Sequence, residues 1–251
     1  MKTFIVGGQS TAYGLDIVKP AGVKLSKDEY RSQSCFWYPV FKELGFDNYV
    51  NVSTPGDSND AVFRKIVDEV IAAKERGDDD IFVLACVVAG ELFEVFDNNT
   101  NGFKNIIFTQ SSQIVNAMEQ KSESLFSKRS SPELKLLLQT YSDNFLNVEH
   151  SLTRFFLHVI SMQSFFKQQG VRYKFVHSSS PALQQPWDVI HDHPVTQKYR
   201  HLIDTTHFID FLSDDVMNIT LANSAKVGRF FHPLEDGHKF YGDYLVKKLK
   251  A

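Results

Sequence analysis

Cysteine is scarce in this chain of 251 residues, with Cys35 and Cys86 its only two. Two thiols cannot build a disulfide framework, and these lack the paired spacing of a metal site. Both are expected as buried free thiols, with no metal and no cofactor. Tryptophan and methionine are also rare, at 2 and 4 residues. No apolar run approaches the roughly 18 residues of a membrane span, so no membrane association is expected. Charge of one sign is missing as well: 27 basic residues against 30 acidic leave a net charge of −3. That balance gives no reason to expect nucleic acid or an anionic membrane as a partner. Met1–Val6 is too short for a secretory signal and runs straight into a glycine turn. The expectation is a cytoplasmic protein, or one delivered by some other route.

What is present is the composition of a globular domain, 43% hydrophobic and 23% charged. Phenylalanine, at 22 residues, points to a core thickened with aromatic rings. Lys2–Val6 is a continuous apolar run ending at Gly7-Gly8, as expected of a buried parallel strand. A helical stretch spans Asp28–Leu44 and is kinked or restarted at Pro39. A second strand spans Tyr49–Val52, followed by turn formers that offer Ser58 or Asn59 as a helix N-cap. Asp60–Arg76 carries Val62, Ile66, Val67, Val70 and Ile71 on one face. A third strand spans Ile81–Val88, a long helical region about 132–169, and a fourth strand Val171–His177. A long loop region is expected from Ser178, and a last helix over Glu235–Lys250. The alternation of continuous apolar strands with helices predicts one α/β domain over residues 1–251, with an insertion at about 97–130.

Three segments carry candidate chemistry. Gly7-Gly8-Gln9-Ser10 follows the first strand, and ligands gather at the carboxyl ends of parallel strands. Ser10 is therefore a candidate nucleophile; the alternative is a polar junction or a phosphate-binding turn. In Asn51–Asp60, Gly56 can offer an unobstructed N–H to a developing oxyanion at the mouth of a helix, or the segment is an ordinary loop and cap. In Phe231-His232-Pro233, the proline restricts the backbone of a candidate general base, His232. His238, six residues on, is expected in a helix-packing or capping role. His191-Asp192-His193-Pro194 lacks a third ligand at a metal-site spacing and reads as a flexible polar loop.

Taken in order, these segments resemble the SGNH (GDSL-type) hydrolase superfamily. Gly8-Gln9-Ser10-x-x-Tyr13-Gly14 is similar to its first block, Asn51–Asn59 to its second, and His232-Pro233-x-x-x-Gly237-His238 to its fifth. Pro55-Gly56-x-Ser58-Asn59-Asp60 and Glu91-x-Phe93-Glu94 are similar to phage and environmental SGNH-like members. The resemblance implies a three-layer α/β/α sandwich with a flavodoxin-like parallel sheet. It implies a serine esterase in which Ser10 attacks, His232 is the base, and the N–H groups of Ser10 and Gly56 form the oxyanion hole. Gln9, Ser58, Asn59, Glu235, Asp236 and His238 are possible supporting residues. The substrate would be a small-molecule or carbohydrate ester, such as an O-acetyl group, and a phage origin would place the protein in a host cytoplasm or a virion.

Two helpers of that family are replaced. Arg229 stands where an aspartate usually precedes the histidine, and Val87-Val88 fall where an oxyanion asparagine is expected. Asp210, Asp214, Asp215, Glu235 and Asp236 are close enough in sequence to supply the lost carboxylate. The alternative to an esterase is a catalytically impaired SGNH-fold binding or virion-associated module.

Overall fold

The computed structural model describes residues 1–88, 147–178, 187–228 and 232–250, Thr140, and the backbone of 92–97 and 102–107. Four strands, β1 (Lys2–Gly7), β2 (Asn48–Asn51), β3 (Asp80–Val87) and β6 (Arg172–His177), form one parallel sheet in the order β2-β1-β3-β6. That is the flavodoxin-like order, with the direction of winding reversing beside β1. A separate antiparallel hairpin pairs β4 (Leu92–Asp97) with β5 (Gly102–Ile107). It overlaps the start of the expected insertion, whose remainder lies outside the described residues.

Alternation along each strand divides the interior in two. Ile5, Val83, Ala85 and Val87 face α4 (Asn59–Glu75) and α5 (Val148–Gln169), packing on Val62, Ile66, Phe155 and Val159. Phe4, Val6, Phe82, Leu84 and Cys86 face α3 (Trp37–Glu43) and α9 (Glu235–Lys250), packing on Phe36, Trp37, Tyr241 and Leu245. Both faces of the sheet are thus covered, which makes the three-layer sandwich and explains the continuous apolar strands. The phenylalanines concentrate here: Phe4 stacks on Phe82 with ring centroids 5.6 Å apart. Cys35 and Cys86 are free and buried, and burial pushes the Cys35 thiol up to about 12.

The expected helix over 28–44 is two helices, α2 (Lys27–Ser34) and α3, separated at Cys35-Phe36. Pro39 sits inside the first turn of α3, where its missing N–H costs nothing. The expected loop after Ser178 instead contains α6 (Trp187–Asp192), α7 (Pro194–Tyr199) and α8 (Val216–Ala222). His191–Pro194 is the junction of α6 and α7, with the His193 ring accepting from the Val195 N–H as a cap and Pro194 at the first helical position. Among the described residues, no helix is long and apolar enough to cross a membrane.

Candidate active site

The first strand ends at Gly7, and the chain turns at once into α1 (Ser10–Tyr13), which presents Ser10 at the carboxyl edge of the sheet. Three donors converge on one carbonyl to hold this helical turn. Trp37 Nε1 and Asn51 Nδ2 donate to the Ala12 oxygen at 2.9 and 3.1 Å, and the Cys35 thiol approaches it at 3.4 Å. Gly14, left-handed at φ 79°, closes α1. Its N–H donates to the Thr11 oxygen at 3.1 Å and the Leu15 N–H to the Ser10 oxygen at 3.0 Å. This paired C-terminal closure reverses the chain directly after the serine.

The reversal delivers Asp16. A strap before α9 returns from the far end of the sequence, with Val227 bridged to Pro233 and the Gly228 N–H donating to the His232 oxygen at 2.7 Å. It places His232 Nε2 2.5 Å from Ser10 Oγ. Asp16 Oδ2 lies on the other side of the ring, 3.5 Å from Nδ1, and accepts from the His232 backbone N–H at 3.3 Å. At 3.5 Å the ring and carboxylate make an electrostatic contact, and among the described residues Nδ1 has no well-formed hydrogen bond. Burial lowers the His232 pKa from its ordinary 6.5, and Asp16 opposes that shift by favouring the imidazolium. The balance leaves the ring neutral at neutral pH, able to accept a proton.

The acidic partner therefore comes from the N-terminal segment and not from any of the five residues considered near the histidine. Asp210 accepts from the Tyr244 hydroxyl and from Lys248 Nζ, the latter at 2.7 Å, and Asp214 also faces Tyr244. Asp215 caps α8 through the N–H groups of Met217 and Asn218. Glu235 and Asp236 lie in the first turn of α9, where Asp236 is exposed. Arg229 lies outside the described residues. A sequence signal for Asp16 did exist: a carboxylate just past a glycine that must end the serine's helix.

The second segment forms a tight turn. The Asp57 N–H donates to the Thr54 oxygen at 3.1 Å, with Pro55 and Gly56 between them and Gly56 at φ 84°. This is the pattern of a type II turn, which needs positive φ at its third residue. Its donors can be counted. Pro55 has none, the Asp57 N–H closes the turn, and the Thr54 N–H donates to Asp57 Oδ2 at 3.0 Å. Gly56 retains the N–H that the turn itself does not use.

The other supporting candidates fall in different places. Ser58 is fully buried and caps α4, its Oγ accepting from the Ala61 N–H at 3.2 Å. Asn59 is committed to the end of β3, donating to the Val88 oxygen at 2.6 Å and accepting from the Val88 N–H at 3.1 Å. It thereby braces the chain where it leaves β3. Gln9 is buried before Ser10, and its Nε2 makes no hydrogen bond among the described residues. His238 lies in the core, flat against Phe36 with ring centroids 5.9 Å apart, and burial holds its pKa near about 3.

A family model described as a family of unknown function, DUF6071, matches residues 22–249. The match includes Gly56 and His232 and begins after Ser10 and Asp16. No curated protein sequence matches the chain. Among solved structures, the psychrotrophic esterase EstA from Pseudoalteromonas sp. is similar at 10% identity and a TM-score of 0.48, over 100% of this chain and 97% of that one. An acetyl xylan esterase, AlAXEase, is similar at 12% identity and a TM-score of 0.44, over 98% of each chain. A carbohydrate esterase family 2 enzyme with a carbohydrate-binding domain, from Corynascus thermopiles, is similar at 11% identity and a TM-score of 0.47, over 100% of this chain and 67% of that one.

Proposed function

The chain belongs to the DUF6071 family of unknown function, and for it we propose a serine ester hydrolase built on Ser10, His232 and Asp16. The observation that carries this reading is the 2.5 Å contact between Ser10 Oγ and His232 Nε2, made across 222 positions of sequence. A nucleophile and a neutral base at that range are what acyl transfer requires.

The chemistry runs in two halves. Ser10 Oγ attacks the ester carbonyl carbon while its proton passes to His232 Nε2. The carbonyl oxygen becomes an oxyanion, met by the N–H groups of Ser10 and Gly56. Collapse of this adduct breaks the bond to the leaving alcohol, which departs with the proton held by His232. Water then gives a proton to His232 and attacks the acyl carbon; the acyl–Oγ bond breaks, His232 returns that proton to Ser10 Oγ, and the acid leaves. Asp16 stabilises the imidazolium present in each half and orients the ring through the backbone contact.

The acyl group to test first is acetyl on a carbohydrate hydroxyl, as the SGNH resemblance implies. The decisive experiment is labelling with a fluorophosphonate alongside acetate release from acetylated sugars and short acyl esters. Wild type should react in both assays and Ser10→Ala in neither. Absence of both in wild type, beside a reactive control esterase, would point to the ligand-binding module.

A further inference from the structure

We propose that Lys65 and Asp57 are positioning residues that hold the Gly56 N–H in register for the oxyanion. This rests on the ester-hydrolase reading above and assigns work to a pair outside the triad. The turn from Thr54 to Asp57 is short and ends two residues before α4 begins. It is already closed by its own backbone bond and by the preferences of proline and glycine. Yet Asp57 is almost completely buried, 1% exposed at its side chain, and a buried carboxylate is costly unless it is paired.

Its cationic partner comes from the second turn of α4. Lys65 Nζ donates to Asp57 Oδ1 and Oδ2 at 2.9 and 2.7 Å, and to Thr54 Oγ1 at 2.7 Å. Asp57 Oδ2 also accepts the Thr54 N–H at 3.0 Å. Both ends of the turn are therefore tied to one ammonium group, on a helix that is itself fixed. The next residue, Ile66, is fully buried and packs so tightly on Gly7 that a Cβ there would meet its side chain at 2.6 Å. Gly7 ends the strand that carries Ser10. A continuous mechanical path thus runs from the nucleophile's strand through α4 and Lys65 to the peptide bearing the Gly56 N–H. A donor helps an oxyanion only at the right distance and angle, and a displacement of about 1 Å can cost on the order of 10²-fold in rate.

The test is steady-state hydrolysis of a short acyl ester by Lys65→Met, with an arylboronic acid as a probe that forms a tetrahedral adduct on serine. Methionine suits a partly buried helix position and keeps the alkyl stem. We expect kcat to fall roughly 10–100-fold with KM within about 3-fold, and boronate affinity to weaken in parallel with kcat. Lys65→Arg should recover much of both. Lys65→Gln, which keeps a donor for Asp57, carries the same test if Lys65→Met does not fold. A folded variant with kcat and boronate affinity within about 3-fold of wild type would overturn the proposal, even if its melting temperature dropped. Wild type inert to both fluorophosphonate and ester would instead overturn the underlying reading, and the proposal with it.

Discussion

A methyl group on Gly228 would stand 2.5 Å from Asp16 Oδ2, the carboxylate that faces the His232 ring. Gly228 and His232 belong to the same strap, joined by the 2.7 Å bond from the Gly228 N–H to the His232 oxygen. The strap therefore does two things at once: it presents the imidazole and leaves room beneath it for a carboxylate from the opposite end of the chain. Gly228→Ala should displace Asp16 while the core, which lies elsewhere, stays intact. The expected outcome is a fall in kcat on the order of 10²-fold with a loss of about 1–3 kcal/mol in stability, checked by ester hydrolysis and urea unfolding. Unchanged kcat would show that the carboxylate's position is immaterial.

Asp16→Asn tests the carboxylate itself. Loss of the charge should lower kcat by roughly 10²–10⁴-fold. It should also move the acid limb of the pH–rate profile. In wild type that limb lies below the ordinary histidine value of 6.5, because burial lowers the His232 pKa. Asp16 favours the imidazolium, so removing its charge lowers the pKa further and shifts the limb to lower pH. A limb moving upward would contradict this assignment.

Ser10 and His232 should behave as one unit. If the serine is attacked into action only through the histidine, Ser10→Ala and His232→Ala will each remove nearly all turnover. The double variant will then be no slower than the worse single one. Additive losses, measured under saturating ester, would mean that the two side chains act separately.

Asn59→Ala distinguishes bracing from catalysis. It strips partners from the buried Val88 N–H and oxygen, just past the end of β3. Stability should fall by roughly 2–5 kcal/mol, while kcat of the folded fraction stays within about 3-fold, since Asn59 spends both ends of its amide on the backbone. Chemical denaturation and active-site titration together would read both numbers.

Stability should depend on pH through two buried histidines. Burial holds His177 and His238 at about 3, against 6.5 for the ordinary side chain. Between those values the unfolded chain binds more protons than the folded one, so stability rises with pH across that window and levels off above it. Urea midpoints taken from pH 4 to pH 8 should show this slope, and His238→Leu should flatten part of it.

Much of this architecture was legible along the chain, because local rules govern it. Continuous apolar runs marked β1 and β3, and the cap before a periodic stretch marked α4. The helices after Ser178 were not legible. They are six or seven residues each, too short for periodicity to show, and α6 and α7 meet where two histidines and a proline read as a polar loop. The hydrogen-bond partner of Asn59 was not legible for a related reason. Its neighbours fit a site, while its actual partner, Val88, is 29 positions away.

Ser10 and His232 stood out from sequence alone, since each sits in a context that local chemistry makes unusual: a glycine turn after a buried strand, and a histidine locked by proline. Their partner could be decided only by the folded chain. The carboxylate sought beside the histidine lies 216 positions before it. What brings it there is a helix stop at Gly14, a strap that pairs with itself, and the missing side chain of Gly228. Only the glycine stop is visible in the sequence beside Asp16; the other two conditions lie more than 200 positions away. Steric room and long-range approach are properties of packing, and packing is where the acid of this site was chosen.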